Sequence, residues 1–139
     1  MEDYLQGIMV AARGVPMTLA ISLVAVMGGL VIGLLVAIAK RSKFKVLRAL
    51  ATVYVDVLRG TPLLVQVLIL AYGVPQMIRL IFDMQFNWEH MIIVGFIACG
   101  INSSAYMAEI IRSGLQAVDI GQTEAARSLG LSNGQTMRY

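Results

Sequence analysis

The chain has 139 residues, of which 58% are hydrophobic and only 14% are charged, and its formal net charge is +3. A water-soluble domain of this length needs more charged surface, so the composition excludes an ordinary soluble fold. Most of the basic excess lies in one link between apolar runs. It therefore indicates membrane topology and does not predict nucleic-acid binding.

Three runs without a charged side chain predict membrane spans. They are Val15–Ala39, Gly60–Ile78 and Met91–Ala108. Each approaches or exceeds the roughly 18–20 residues that cross a hydrocarbon core as a helix. Alternation with a period of two is absent from the sequence, which argues against a membrane barrel. We therefore predict an all-α, polytopic transmembrane helix bundle in a single domain over residues 1–139, with spans at about 15–39, 61–78 and 91–111.

The first span is too long for the apolar region of a signal peptide, which takes about 7–15 residues, and we expect it to be retained. Small residues recur at every fourth position within it, namely Ala25, Gly29, Gly33 and Ala37. Such a stripe lets another helix approach closely. It predicts packing against another helix of the same chain, with a homodimer seam as the alternative.

The link after the first span is strongly basic, with Lys40, Arg41, Lys43, Lys45 and Arg48, whereas the link between the second and third spans has little positive excess. By the positive-inside rule, the first link is cytoplasmic. The N-terminus then lies outside the cell, and the tail from about residue 112 to 139 lies inside. Apolar residues at helical spacing within the segment 44–58 predict an interfacial helix before the second span.

Polar residues interrupt the second and third spans. Gln66 lies one turn into the second, and Asn102, Ser103 and Ser104 lie in the third. In hydrocarbon such groups face protein or water, so Gln66, Asn102 and Ser103 are candidates for a polar substrate path. Hydrogen bonding between helices is the alternative for the two amides, and bonding to their own helix is favoured for the two serines.

Charge and proline near the span ends give two further predictions. Glu109 and Arg112 lie one turn apart at the end of the third span, which predicts an ion pair. Pro75 predicts an end or a bend of the second helix near its outer face.

The tail has the spacing of two short capped helices. Asp119 with Gln122, and Ser132 with Gln135, have capping-box spacing, and Gly130 suits a helix end between them. One face of the first short helix carries Gln122, Ala125, Ala126 and Leu129, with Glu124 and Arg127 beside it. The two adjacent alanines predict a low ridge that fits the groove of a partner protein.

The segment "EAARSLG", which follows "GLQAVDIGQT", resembles the EAA loop of binding-protein-dependent ABC transporter permeases. "RGTPLLVQ" and "GVPMTLAIS" are similar to segments of the branch that transports polar amino acids. The resemblance implies a transmembrane domain of the type I ABC importer class with about five spans, of which this chain is an N-terminal fragment. It also implies that Gln122, Glu124, Ala125, Ala126, Arg127, Leu129 and Gly130 couple the permease to an ATPase.

The same resemblance implies a permease subunit of an ATP-driven importer of polar amino acids in the cytoplasmic membrane. Its partners are two ATPase subunits, a second permease subunit, an extracytoplasmic solute-binding protein, membrane lipid and an amino-acid substrate, without nucleic acid. No catalytic, cofactor or metal motif is found in the sequence, so we expect no enzyme activity and no cofactor or metal. A membrane scaffold that recruits a cytosolic partner, and a permease for another small solute, are the alternatives.

Overall fold

The computed structural model describes residues 2–138, so Met1 and Tyr139 of the predicted domain lie outside the described residues. Between these limits the chain is helical and contains no strand. The helices are α1 (Glu2–Lys40), α2 (Lys45–Gly60), α3 (Leu63–Leu68), a π-helical turn (Ile69–Gly73), α4 (Val74–Phe82), α5 (Met91–Gln116), α6 (Ile120–Ser128) and α7 (Asn133–Thr136). The predicted all-α fold is confirmed.

Three helical segments have the length and hydropathy to cross a membrane, namely Tyr4–Lys40, Leu63–Phe82 and Met91–Gln116. The first begins well before Val15 and includes Arg13, because a single charge does not interrupt a helix. Its 37 residues correspond to about 55 Å of helix, whereas a hydrocarbon core is about 30 Å thick. Part of α1 must therefore extend beyond the hydrocarbon core.

Helices α1 and α5 run side by side in the same direction. Ile21 lies opposite Gly95, Gly29 opposite Ser103, and Gly33 opposite Met107. These three contacts keep one register along both helices. Small side chains allow this close approach, because a glycine in one helix leaves room for a side chain of the other. Helices α1 and α5 therefore form the frame against which α2, α3 and the π-helical turn pack.

Helix α2 packs across the end of this frame. Val55 is fully buried between Ala37 of α1 and Ala108 of α5. The opposite side of α2 leaves large apolar side chains exposed, namely Val46, Leu47, Leu50, Val53 and Val57, and Phe44 just before the helix is exposed as well. A helix with one face on protein and an exposed apolar face fits the interfacial helix that the sequence predicts.

Pro75 does not end the second membrane helix. The helix passes through the π-helical turn and continues to Phe82, with Pro75 in the first turn of α4. In the π-helical turn, the backbone N–H of Val74 donates to the carbonyl of Ile69. The Leu70 carbonyl would then need a donor from residue 75, and proline has no N–H. The Trp88 indole N–H donates to this carbonyl at 2.8 Å instead.

Candidate functional site

Helix α6 begins at a side-chain cap. The Asp119 carboxylate accepts a hydrogen bond from the backbone N–H of Gly121 at 2.6 Å. The spacing also predicted a reciprocal bond from the Gln122 side chain, and that bond is absent from the described part of the chain. Since Asp119 is bonded two positions into the helix and not three, α6 has a single cap in place of a full capping box.

Gly130 ends α6 in a left-handed conformation with a φ of +83°. Its N–H donates to the Arg127 carbonyl at 3.0 Å, and the N–H of Leu131 donates to the Ala126 carbonyl at 3.1 Å. These two bonds form a Schellman motif, which satisfies carbonyls at the helix end and favours glycine at this position. The turn therefore fixes the direction in which the chain leaves α6.

Helix α7 starts immediately after this turn with a complete capping box. The Gln135 N–H donates to the Ser132 hydroxyl, and the Ser132 N–H donates to the Gln135 side chain at 2.9 Å. Arg127 of α6 donates a short hydrogen bond to Asn133. Within residues 2–138, no ion pair joins Arg127 to Glu124. Arg127 thus links α6 to α7 and leaves Glu124 exposed.

The alanine face of α6 has little cover from the rest of the described chain. The Leu129 side chain is 83% exposed, Ala125 and Gln122 are also exposed, and Ala126 is half-buried. The face is narrow and low, since two of its four side chains are methyl groups. Helices α6 and α7 therefore present a small exposed surface on either side of the turn at Gly130.

Gln66 and Asn102 lie together in one buried hydrogen-bond network. The Gln66 amide nitrogen donates to the Leu58 carbonyl at 2.8 Å and to the Thr61 hydroxyl at 2.9 Å. Its oxygen accepts from the Asn102 amide at 3.2 Å. The network joins the end of α2, the start of α3 and the middle of α5. Thr61 and the Leu58 carbonyl were missed by sequence analysis, because only the break between α2 and α3 brings them back toward Gln66.

Ser103 and Ser104 contact other residues than these two amides. Ser103 packs against Gly29 of α1. The Ser104 hydroxyl donates to the Ile101 carbonyl at 2.7 Å and also contacts the Tyr54 hydroxyl at 2.6 Å. Ser104 therefore bonds both to its own helix and to α2, whereas Ser103 belongs to the interface between α1 and α5.

The small-residue stripe of α1 lies against α5 within the same chain. All four of its residues are buried: Ala25, Gly29, Gly33 and Ala37. A Cβ atom at Gly33 would lie 2.7 Å from the Met107 Cβ and 2.9 Å from the Ser104 carbonyl oxygen. A side chain at Gly33 would therefore force the two helices apart.

A charged cluster joins the end of α1 to the C-terminal part of α5. The Lys40 ammonium lies 2.9 Å from one oxygen of Glu109, and Arg112 pairs with the other oxygen at a short distance. Arg112 also donates to the Gln116 side chain at 2.9 Å. The spacing of Glu109 and Arg112 predicted their pair. Lys40 was missed, since no local spacing indicates a contact between residues 69 positions apart.

Comparison with known proteins agrees with this arrangement. Residues 29–139 match the family model described as "binding-protein-dependent transport system inner membrane component". The chain belongs to this family. The resemblance to ABC transporter permeases is thereby confirmed, and with three apolar helices the chain is part of a multi-pass membrane protein.

Named relatives of this permease chain are amino-acid transport proteins. It is 41% identical to a protein named for glutamine transport, GlnP of Rickettsia prowazekii, over 92% of the chain and 56% of that protein. It is 39% identical to the arginine transport system permease protein ArtQ of Bacillus subtilis, over 91% of the chain and 54% of that protein. The chain spans about half the length of these curated relatives.

A solved structure shares the fold of this permease chain. The two superpose with a TM-score of 0.82 at 43% sequence identity, over 99% of this chain and 60% of the other. That structure is a crystal structure of an amino acid ABC transporter with histidines. The helical arrangement described above is therefore the arrangement of an ABC transporter membrane subunit.

Proposed function

We propose that this chain is part of a permease subunit of an ATP-driven importer for polar amino acids. Relatives named for glutamine and arginine transport, at 41% and 39% identity over most of the chain, support this substrate class. The complete importer would contain two permease subunits, two ATPase subunits and an extracytoplasmic solute-binding protein. ATP hydrolysis would take place in the ATPase subunits.

The proposed orientation places the N-terminus outside the cell and the segment from about residue 112 to 139 in the cytoplasm. The concentration of basic residues between α1 and α2 supports it. In this orientation the Lys40–Glu109 pair joins the cytoplasmic end of α1 to the cytoplasmic part of α5, the helix that precedes α6 and α7. Motion of the two short helices would therefore act on both spans together.

The proposed coupling surface consists of α6 residues 122, 125, 126 and 129, with Glu124 and Arg127 beside it and Gly130 at its end. The single observation that carries this proposal is the exposed, low alanine face of a helix fixed by a side-chain cap and a Schellman motif. A rigid element transmits displacement, whereas a flexible loop absorbs it. Closure of the ATPases would then rock the spans as rigid bodies.

We propose a structural role for Gln66 and Asn102, because their side chains bond to each other and to the α2–α3 junction. Ser103 has a corresponding role in the interface between α1 and α5. The predicted substrate path along these three residues would require their bonds and contacts to break. The hydrogen-bond network therefore favours the interhelical interpretation over direct substrate contact.

Reconstitution tests the proposed function. The full-length subunit, its partner permease and its ATPase are placed in proteoliposomes with the solute-binding protein, and uptake of radiolabelled glutamine and arginine is measured. ATP-dependent uptake of either amino acid is expected, with no uptake when ATP is omitted. Copurification with a cytosolic protein without uptake of any amino acid would instead support the scaffold alternative.

A further inference from the structure

A cavity of about 510 Å³ lies where the basic link meets the ends of α1 and α5. Its lining consists of Ile38, Ala39, Arg41, Ser42, Lys43, Leu47, Leu115 and Met137. Two of these side chains are cationic, one is a hydroxyl, and the remaining five are apolar. The cavity thus combines positive charge with an apolar surface and has no acidic residue in its lining.

The polar groups of this cavity are suited to a phosphate. Within residues 2–138, neither Arg41 nor Lys43 takes part in an ion pair, whereas the neighbouring Lys40 is bound to Glu109. The Ser42 hydroxyl accepts a hydrogen bond from the Phe44 N–H at 3.2 Å, which leaves its own proton for an acceptor. Arginine and lysine are the side chains that recognise phosphate by charge and hydrogen bonding.

The apolar side chains in the lining favour a lipid over a soluble anion as the ligand of this cavity. A soluble phosphate gains nothing from contact with Ile38, Leu47 or Leu115. Phe44, just before the adjacent α2, is 76% exposed and Val46 of α2 is 74% exposed, and such a face is stabilised by contact with acyl chains. Basic pockets between membrane helices on the cytoplasmic side are typical binding sites for lipid headgroups.

We propose that this cavity binds one anionic phospholipid of the inner leaflet, an inference that rests on the orientation in the proposed function. The phosphate lies between Arg41 and Lys43, and the glycerol and upper acyl carbons lie along Leu47 and Ile38. Met137 and Leu115 line the cavity on the side of the coupling segment. The bound lipid therefore contacts both the first span and the segment that carries α6 and α7.

Spin-labelled phosphatidylglycerol tests this site. The full-length transporter is placed in phosphatidylcholine nanodiscs, the spin label is titrated in, and the immobilised fraction is measured. Near an anionic surface each basic side chain contributes about 1 kcal/mol, or roughly fivefold in affinity. The R41Q/K43Q variant is expected to bind the label roughly thirtyfold more weakly. R13Q/R79Q, which also removes two cations, is expected to bind it as the wild type does.

A second variant keeps the charges and fills the cavity. Leu47→Trp is expected to reduce the immobilised fraction although Arg41 and Lys43 remain. Cysteine labelling of the link confirms that each variant keeps the wild-type orientation. Equal binding of the label by wild type, R41Q/K43Q and L47W would overturn the proposal.

Two further measurements are needed. One distinguishes a lipid from soluble phosphate as the ligand, and the other distinguishes failure of the lipid site from failure of the proposed function. Millimolar inorganic phosphate is expected not to displace the label, and displacement would assign the cavity to soluble phosphate and overturn the lipid site. Uptake is measured separately, after the same purified proteins have been reconstituted in proteoliposomes. Failure of wild-type uptake with normal label binding would contradict the proposed function alone, and normal uptake without label binding would contradict the lipid site alone.

Discussion

Lys40, the last residue of α1, forms an ion pair at 2.9 Å with Glu109 in the C-terminal part of α5. Their side chains are only 12% and 18% exposed, so water screens the pair less than it screens a surface pair. Arg112 binds the other oxygen of Glu109. The ion pair therefore links α1 to α5, the helix that precedes the proposed coupling segment.

Removal of one partner from this pair is expected to destabilise the protein. Lys40→Met leaves Glu109 with Arg112 alone, and Glu109→Gln leaves Lys40 without its carboxylate, at a cost of about 1–3 kcal/mol for each variant. Thermal unfolding of the full-length complex measures both variants and the double variant. If the double variant loses as much stability as the two single variants together, the pair contributes no coupling energy.

Gly33 is expected to tolerate no larger side chain, because its Cβ position lies 2.7 Å from the Met107 Cβ. Gly33→Ala should destabilise the complex by about 1–3 kcal/mol through overpacking. Gly28 lies on the same helix with nothing within 4 Å of its Cβ position. Gly28→Ala should therefore leave the melting temperature unchanged or slightly raised. Equal melting temperatures for the two variants would contradict the α1–α5 register.

Substitutions of Gln66 and Asn102 can distinguish a structural role of these side chains from substrate binding. Gln66→Leu and Asn102→Leu are each expected to cost about 0.6–2 kcal/mol of stability, with a non-additive double variant. The KM for uptake should stay close to the wild-type value in the variants that assemble. A large rise in KM without a loss of stability would instead support direct substrate contact.

The hydrogen bond from Trp88 is expected to stabilise the protein because Pro75 lacks an N–H. Trp88→Phe leaves the Leu70 carbonyl without its donor, at a cost of about 1–3 kcal/mol. Pro75→Ala restores a backbone N–H at the position that the π-helical turn requires. The loss from Trp88→Phe should therefore be smaller in the Pro75→Ala protein. Thermal unfolding of the four proteins measures this difference, and an equal loss in both backgrounds would refute the explanation.

Local sequence features predicted much of this fold. Charge-free runs indicated the three spans, and Ser132, Gln135 and Gly130 indicated the turn and cap that separate α6 from α7, since caps depend on neighbouring residues only. Pro75 was expected to end or bend its helix, but the helix continues past it to Phe82. The compensating donor, Trp88, lies 18 residues from the carbonyl that it binds.

Contacts between distant segments were the part that the sequence could not predict. Lys40 meets Glu109 only because α1 and α5 are parallel and in a fixed register. The break between α2 and α3 likewise places the Leu58 carbonyl beside Gln66. At α6, the spacing of Glu124 and Arg127 allows them to pair with each other. The turn at Gly130 instead brings Asn133 within reach, and Arg127 bonds to it.

The most direct test of the proposed coupling role compares two charged substitutions on α6 in the full-length transporter. Ala126 lies on the alanine face, whereas Ser128 lies away from it and serves as the matched control. ATP-dependent amino-acid uptake and copurification of the ATPase are measured together for Ala126→Glu and Ser128→Glu. We expect Ala126→Glu to lose both uptake and ATPase binding, and Ser128→Glu to retain both. Uptake by Ala126→Glu at the wild-type rate would contradict the proposed coupling role.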